Sequence, residues 1–210
     1  MVRKSTPKPP ADGAAAAKIV SVARDLLMTD GYGVVVPAEV AKRAGVPRRA
    51  VEALFPTRRE LVLAALDFHW GQIRPFIEQA FSPDLPPLDR FRGFLSGAGE
   101  FQAHHANRVG CVVGCLLLRV GSSVSREEAE IRARVQTMVS ELQKHIERAV
   151  RDAQAQGLVR KGDPAAKAWT VVHYLEGMLG IARIDGNLQA LDGALDRVLE
   201  FLGAAAPQAQ

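Results

Sequence analysis

Two cysteines and 6% aromatic residues are all this chain has of either kind. Two cysteines cannot build the multi-disulfide framework of a small secreted domain. No apolar run approaches 18 residues, which excludes a membrane-spanning helix. The opening stretch, Met1 to Pro10, is basic and proline-rich and has no apolar core, so no signal peptide is expected there. A cytoplasmic location with reduced cysteines follows as an expectation. There is no glycine-rich phosphate loop, no serine elbow and no tight His or Cys ligand spacing. Cys111 and His105 lack a third residue that could orient them as a nucleophile and base. The adjacent His104 and His105 point to different sides of a helix, which does not favour a metal. Neither an enzyme, a metal nor a cofactor is expected. Runs of Val, Ile and Thr are few and short, which leaves little for strands.

What is present favours helices. The chain is 48% hydrophobic, and Ala and Leu are abundant. Both lose little side-chain entropy in a helix. The positive charge is unevenly placed. Residues 1–60 carry 11 Lys/Arg against 6 Asp/Glu, and the remainder carries 16 against 17. A basic module on a near-neutral body is the footprint of something that meets phosphate, or a solvated face with a basic tail.

Residues 1–13 have no periodicity and are expected to be a disordered arm. Ile19, Val22, Ala23, Leu26 and Leu27 share one helical face, and Asp30-Gly31 ends that helix. Pro37 opens a short helix to about Ala44, and Gly45-Val46-Pro47 turns the chain. Arg48 to about Phe55 forms a second short helix. Thr57 and Glu60 form a capping box that opens a long helix to about Ala80. After a loop with three prolines, further helices are expected over about 88–105, 110–121 and 125–156. Asp163-Pro164 opens another to about Arg183, and Leu188 to Leu202 line the last. The fold class is all-α: a three-helix helix-turn-helix domain at 14–60, a helical ligand-binding and dimerisation bundle at 61–203, and a tail at 204–210.

Two short helices joined at Gly45 can cross steeply and push the second outward. In a DNA reader the second helix enters the major groove with its first residues at base edges. Arg48 and Arg49 hold those positions. Lys42 and Arg43 end the preceding helix within reach of the backbone, and Arg58 begins the next. Arginine suits phosphate or guanine through its planar fork.

Ala23, Leu27, Gly31-Tyr32, Val40-Ala41, Ala44-Gly45-Val46, Phe55-Pro56-Thr57 and Leu61 together resemble the DNA-binding domain of the TetR family of bacterial repressors. The resemblance implies a homodimer built from the last two helices and an inducer pocket in the body. It also implies release from a palindromic operator when the inducer binds. The chain departs from the family pattern in four places. Val35, Val36 and Pro37 stand where a capping hydroxyl is usual, and Pro47 where Ser or Thr is. Arg49 replaces a small residue, and Glu52 an aromatic that contacts the backbone. Either Arg48 and Arg49 carry the affinity and Glu52 reads a cytosine or orients an arginine, or its carboxylate facing phosphate makes DNA binding weak.

Gly110-Cys111-Val112-Val113-Gly114-Cys115-Leu116 resembles the Gly-Cys-Leu opening of the sixth helix in an electrophile-responsive branch of that family. Cys111 matches the reactive cysteine there, and a helix N-terminus with Arg108 nearby favours a thiolate. A buried, inert Cys111 is the alternative, and Cys115, one turn on, suits a core filler better still. Phe68, Phe101, His105, Trp169 and His173 are candidates to line a small-molecule site, or are ordinary core and interface residues. Arg119 and Glu176 are charges among apolar neighbours, as an ion pair or as ligand contacts. The function expected is a ligand- or electrophile-responsive DNA-binding repressor. The alternative is a helical ligand-binding or protein-interaction module that has lost DNA binding.

Overall fold

The computed structural model describes residues 11–204. Among them are nine α-helices: α1 (Ala11–Thr29), α2 (Pro37–Ala44), α3 (Arg48–Leu54), α4 (Arg58–Ala80), α5 (Pro87–Val109), α6 (Leu116–Ser123), α7 (Ala129–Ala155), α8 (Pro164–Asp185) and α9 (Ala194–Leu202). No helix among the described residues is long and apolar enough to cross a membrane. The chain falls into two compact units, Met1–His69 and Trp70–Gln210, which divide inside α4.

In the first unit the apolar spacing of α1 buries Ile19, Ala23, Leu26 and Leu27. Val40, Ala41 and Ala44 of α2 and Val51 of α3 are buried with them. Gly45 ends α2 in the left-handed conformation, at φ 62°. Its N–H bonds back to the last turn, and a side chain there would be strained. The Thr57 box forms as expected. The Thr57 N–H donates to the Glu60 carboxylate at 2.9 Å, and the Glu60 N–H donates to the Thr57 hydroxyl at 3.2 Å.

In the second unit α7 and α8 pack along their length. The α7 stripe of Ile131, Val135, Met138, Leu142 and Ile146 is buried, as are Ala168, Val171, Val172, Leu175 and Leu179 of α8. Full burial of one such large side chain contributes about 1.5–3 kcal/mol. Asp163 caps α8 by accepting the Ala165 N–H at 2.9 Å, and Pro164 takes the first helical position. Buried Arg90 holds the proline loop before α5. It donates to the carbonyls of Leu85 and Pro83 at 2.9 and 3.0 Å and pairs with Asp152 of α7.

Several expected boundaries move. Residues 1–10 of the expected arm and 205–210 of the tail lie outside the described residues, while Ala11–Gly13 already belong to α1. Ala204 pairs with Val159 in an isolated bridge. Helix α5 runs on to Val109, because nothing breaks it before the left-handed Gly110 at φ 78°. The helix expected from 110 therefore starts only at Leu116. Helix α7 starts at Ala129 although the Ser125 N–H reaches the Glu128 carboxylate, since Glu128 itself is non-helical at ψ 46°. The last helix is interrupted. A 3-10 turn at Gln189–Leu191 precedes a left-handed Gly193, and α9 follows.

Candidate DNA-binding surface and sensing body

Helix α3 is two-faced within seven residues. Val51 is fully buried, while Arg48, Arg49 and Glu52 are exposed. Arg48 Nε donates to Glu52 Oε1 at 2.7 Å, one helical turn along. On α2, Arg43 Nε makes the same kind of pair with Glu39 Oε1 at 2.9 Å. Exposed pairs of this spacing contribute only about 0.3–0.5 kcal/mol each. Lys42 and Arg49 are exposed, and no ion-pair partner is recorded for either among the described residues. Helix α2 has no side-chain cap. Val36 precedes it in extended conformation, and Pro37 at the first position removes one of the unpaired N–H groups.

Arg58 is turned inward. Its Nε donates to the Val35 carbonyl at 2.9 Å and its Nη2 to the Tyr32 carbonyl. Its guanidinium lies 4.0 Å from the centroid of the buried Tyr32 ring. Arg58 thus ties the start of α4 to the connector before α2. Two of its donor nitrogens are committed to backbone carbonyls.

The sensing candidates fall on several different elements. Phe68 belongs to the first unit and sits beneath Arg24 of α1, 5.7 Å from ring centroid to guanidinium carbon. Phe101 and His105 stack on α5 with centroids 4.1 Å apart, and His105 Nδ1 lies 2.9 Å from the Phe101 carbonyl. Trp169 and His173 stack on the exposed face of α8, 5.5 Å apart. Arg119 is half-buried on α6.

The two thiols differ sharply. Cys111 is exposed. It lies in the α5–α6 connector, five residues before α6, so the helix-dipole argument made for it does not apply. Cys115 directly precedes α6. Burial pushes its thiol well up, and the Glu176 carboxyl beside it adds to that. Cys115 is half-buried as a residue, and its raised thiol stays protonated. Glu176 meets this thiol. Its own carboxyl is raised above the usual range by burial, and Oε2 has no hydrogen-bond partner. Stability from a raised carboxyl is complete below its unfolded value of roughly 4.3 and is lost as pH rises through the native value. Glu176 should therefore contribute a loss of stability as pH rises above the ordinary carboxylate range. Glu176→Gln, measured by thermal melts, should flatten that loss; an unchanged profile would contradict the assignment.

Sequence reasoning missed the residues that shape the connector. The Gln102 amide clasps Gly114 at both ends, donating to its carbonyl and accepting its N–H, each at 3.0 Å. From α8, Arg183 donates to the carbonyls of Val112 and Val113 at 3.1 and 2.9 Å. Gly114 is left-handed at φ 69°, and a Cβ there would lie 3.3 Å from the Leu179 carbonyl. Only Gln102 left a trace in the sequence: it is a polar residue on the α5 face that buries Phe91, Phe94 and Leu95.

Residues 19–65 match the family of bacterial regulatory proteins of the tetR type, and residues 87–198 match the tetracyclin repressor-like C-terminal domain. The transcriptional regulator AcuR of Cereibacter sphaeroides is 30% identical over 161 residues, which are 76% of this chain and 72% of that protein. The fold is shared with a regulatory protein TetR from Rhodobacter sphaeroides at TM-score 0.79 and 24% identity, over 89% of this chain and 98% of that one. It is shared also with E. coli NemR in its reduced form, at TM-score 0.75 and 17% identity, over 93% and 100% of the two chains. The chain belongs to the TetR family: it is a DNA-binding transcriptional regulator with a C-terminal ligand-binding domain, and not an enzyme.

Proposed function

We propose that this regulator is a homodimeric repressor that leaves a palindromic operator when a small molecule or an electrophile engages its C-terminal unit. The observation that carries the operator reading is α3, which buries Val51 and turns Arg48, Arg49 and Glu52 outward. Lys42 and Arg49 supply backbone contacts, Arg43 is held by Glu39, and Arg58 holds the helices in place. Such a partner puts the protein with the nucleoid in the cytoplasm.

The dimer reading rests on α8 and α9. Trp169, His173, Ile181 and Ile184 are exposed along α8 at helical spacing, and Phe201 is exposed on α9, where it packs edge-on against Tyr174. An apolar stripe of this kind is costly to leave in water and suits an identical stripe on a second copy. Pairing there sets two α3 helices on half-sites about 34–36 Å apart. Ile184→Glu should convert the dimer to a monomer in sedimentation and lower operator affinity at least about tenfold, by removing the second half-site. An Ile184→Glu protein that stays dimeric would overturn this interface.

Exposed Cys111 lies on the connector clasped by Gln102 and Arg183. A bulky adduct there strains that clasp and shifts α6, and the ligand acts on the same elements. The test is a titration of the duplex flanking the protein's own gene, followed by addition of a quinone or reactive aldehyde. The native protein should be released and Cys111→Ser retained. Full release of Cys111→Ser would overturn the thiol reading and leave the small-molecule one. Failure of the native protein to bind any duplex would favour a module that keeps the fold without DNA binding.

A further inference from the structure

We infer that Glu52 is a specificity-determining residue that positions Arg48 to read a guanine, while Arg49 serves the phosphate backbone. The inference rests on the operator reading above and concerns the division of labour on α3. Arg48 and Glu52 lie on one face of α3, joined Nε to Oε1 at 2.7 Å, and both are exposed. A guanidinium has five N–H donors in a fixed plane. With Nε–H taken by Glu52, the two terminal nitrogens remain as a planar pair. Guanine offers O6 and N7 as a matching pair of acceptors in the major groove.

Charge decides between base and phosphate. Arg48 and Glu52 together are neutral, so their pair has no net attraction for a phosphate, and the carboxylate alone would be repelled by one. Such a pair fits the floor of the groove, where donors and acceptors are displayed, better than the rim. Arg49 is one residue further round the helix, exposed and without a recorded ion pair among the described residues. It keeps its full charge for the backbone. The Arg48–Glu52 bond is weak in water but tightens where the groove excludes water. The orientation is thus available before binding and fixed on binding.

Direct reading of cytosine by Glu52 is the competing arrangement. It would require Oε1 to exchange its arginine for a base, leaving Arg48 without its carboxylate.

The test selects operator sequences from a randomised duplex library. It then titrates single base-pair substitutions of the selected duplex against the native full-length protein, Glu52→Gln, Arg48→Met and Arg49→Ala. For the native protein, one G·C to A·T change per half-site should cost about tenfold or more in affinity. In Glu52→Gln that penalty should fall to about threefold or less. The unneutralised Arg48 should also steepen the salt slope by about one per half-site. Arg48→Met should lose the same preference. Arg49→Ala should weaken all duplexes alike and make the slope shallower by about one per half-site. An unchanged guanine penalty in Glu52→Gln would overturn the inference alone. So would a preference lost in Glu52→Gln but kept in Arg48→Met, since Glu52 would then read the base itself. If the native protein selects no sequence, the inference and the operator reading fall together.

Discussion

Replacing Gln102 with methionine, which has similar volume but no amide, is expected to destabilise the protein by about 2–4 kcal/mol in denaturant melts. The loss comes from what remains rather than from what is removed. Gly114 is buried, and both its N–H and its carbonyl are satisfied by the Gln102 amide. Methionine leaves both unpaired in the interior, and each such group costs about 1–3 kcal/mol. For a chain of this size that corresponds to a fall of about 4–16 °C in Tm. The nearby Arg183 cannot compensate, since its guanidinium already serves Val112 and Val113 and carries no acceptor for an N–H. A loss under about 0.5 kcal/mol would mean that the connector is not held by this clasp. It would also remove the mechanical link proposed between Cys111 and α6.

Arg58→Ala is expected to cost about 2–3 kcal/mol in the absence of any DNA. The side chain makes two charge-assisted hydrogen bonds to carbonyls, of Tyr32 and Val35, and stacks on the Tyr32 ring. Bonds of this kind contribute about 1.5–3 kcal/mol each, reduced here because Arg58 is only half-buried. Arg58→Lys should recover little, since an ammonium has neither the planar fork nor the flat face that stacks on the ring. Hydrogen exchange of the amides over 32–36 reads the effect locally. Unchanged protection and an unchanged melt would contradict the structural role and return Arg58 to the phosphate contacts.

These two residues mark where sequence reading reaches its limit. Periodicity and punctuation carried most of the fold. The Thr57–Glu60 box, the Asp163-Pro164 start of α8 and the α7 stripe all stand as their spacing predicts. These signals are local, since a cap or a helical face is written within a few residues. The α2–α3 unit was equally readable, because Gly45 and the buried Val51 fix its turn and its inner face. Glycines were harder. Gly193 interrupts a helix that an apolar count runs straight through, and Gly110, taken as the start of a helix because Val112 and Val113 keep the hydrophobic signal alive, instead ends α5. Contacts far apart in the chain were not readable. Arg58 reaches back 26 residues to Tyr32, and Arg183 reaches 71 to Val112. Nothing in the local sequence separates either arginine from a solvated or phosphate-seeking one. The two thiols lie differently about the start of α6. Cys115 keeps its place beside the start of α6, while the helix position assumed for Cys111 fell with the displaced start of that helix.

The central claim is that the outward face of α2 and α3 binds duplex DNA through a small set of unneutralised cations. The most direct measurement is the affinity of the purified protein for the duplex flanking its own gene across a salt series. Lys42 and Arg49 from each of two protomers predict a log–log slope of about −3 or steeper, by counterion release. Affinity that is absent, or indifferent to salt, would contradict the claim and leave a protein with the fold of a regulator but without its DNA chemistry.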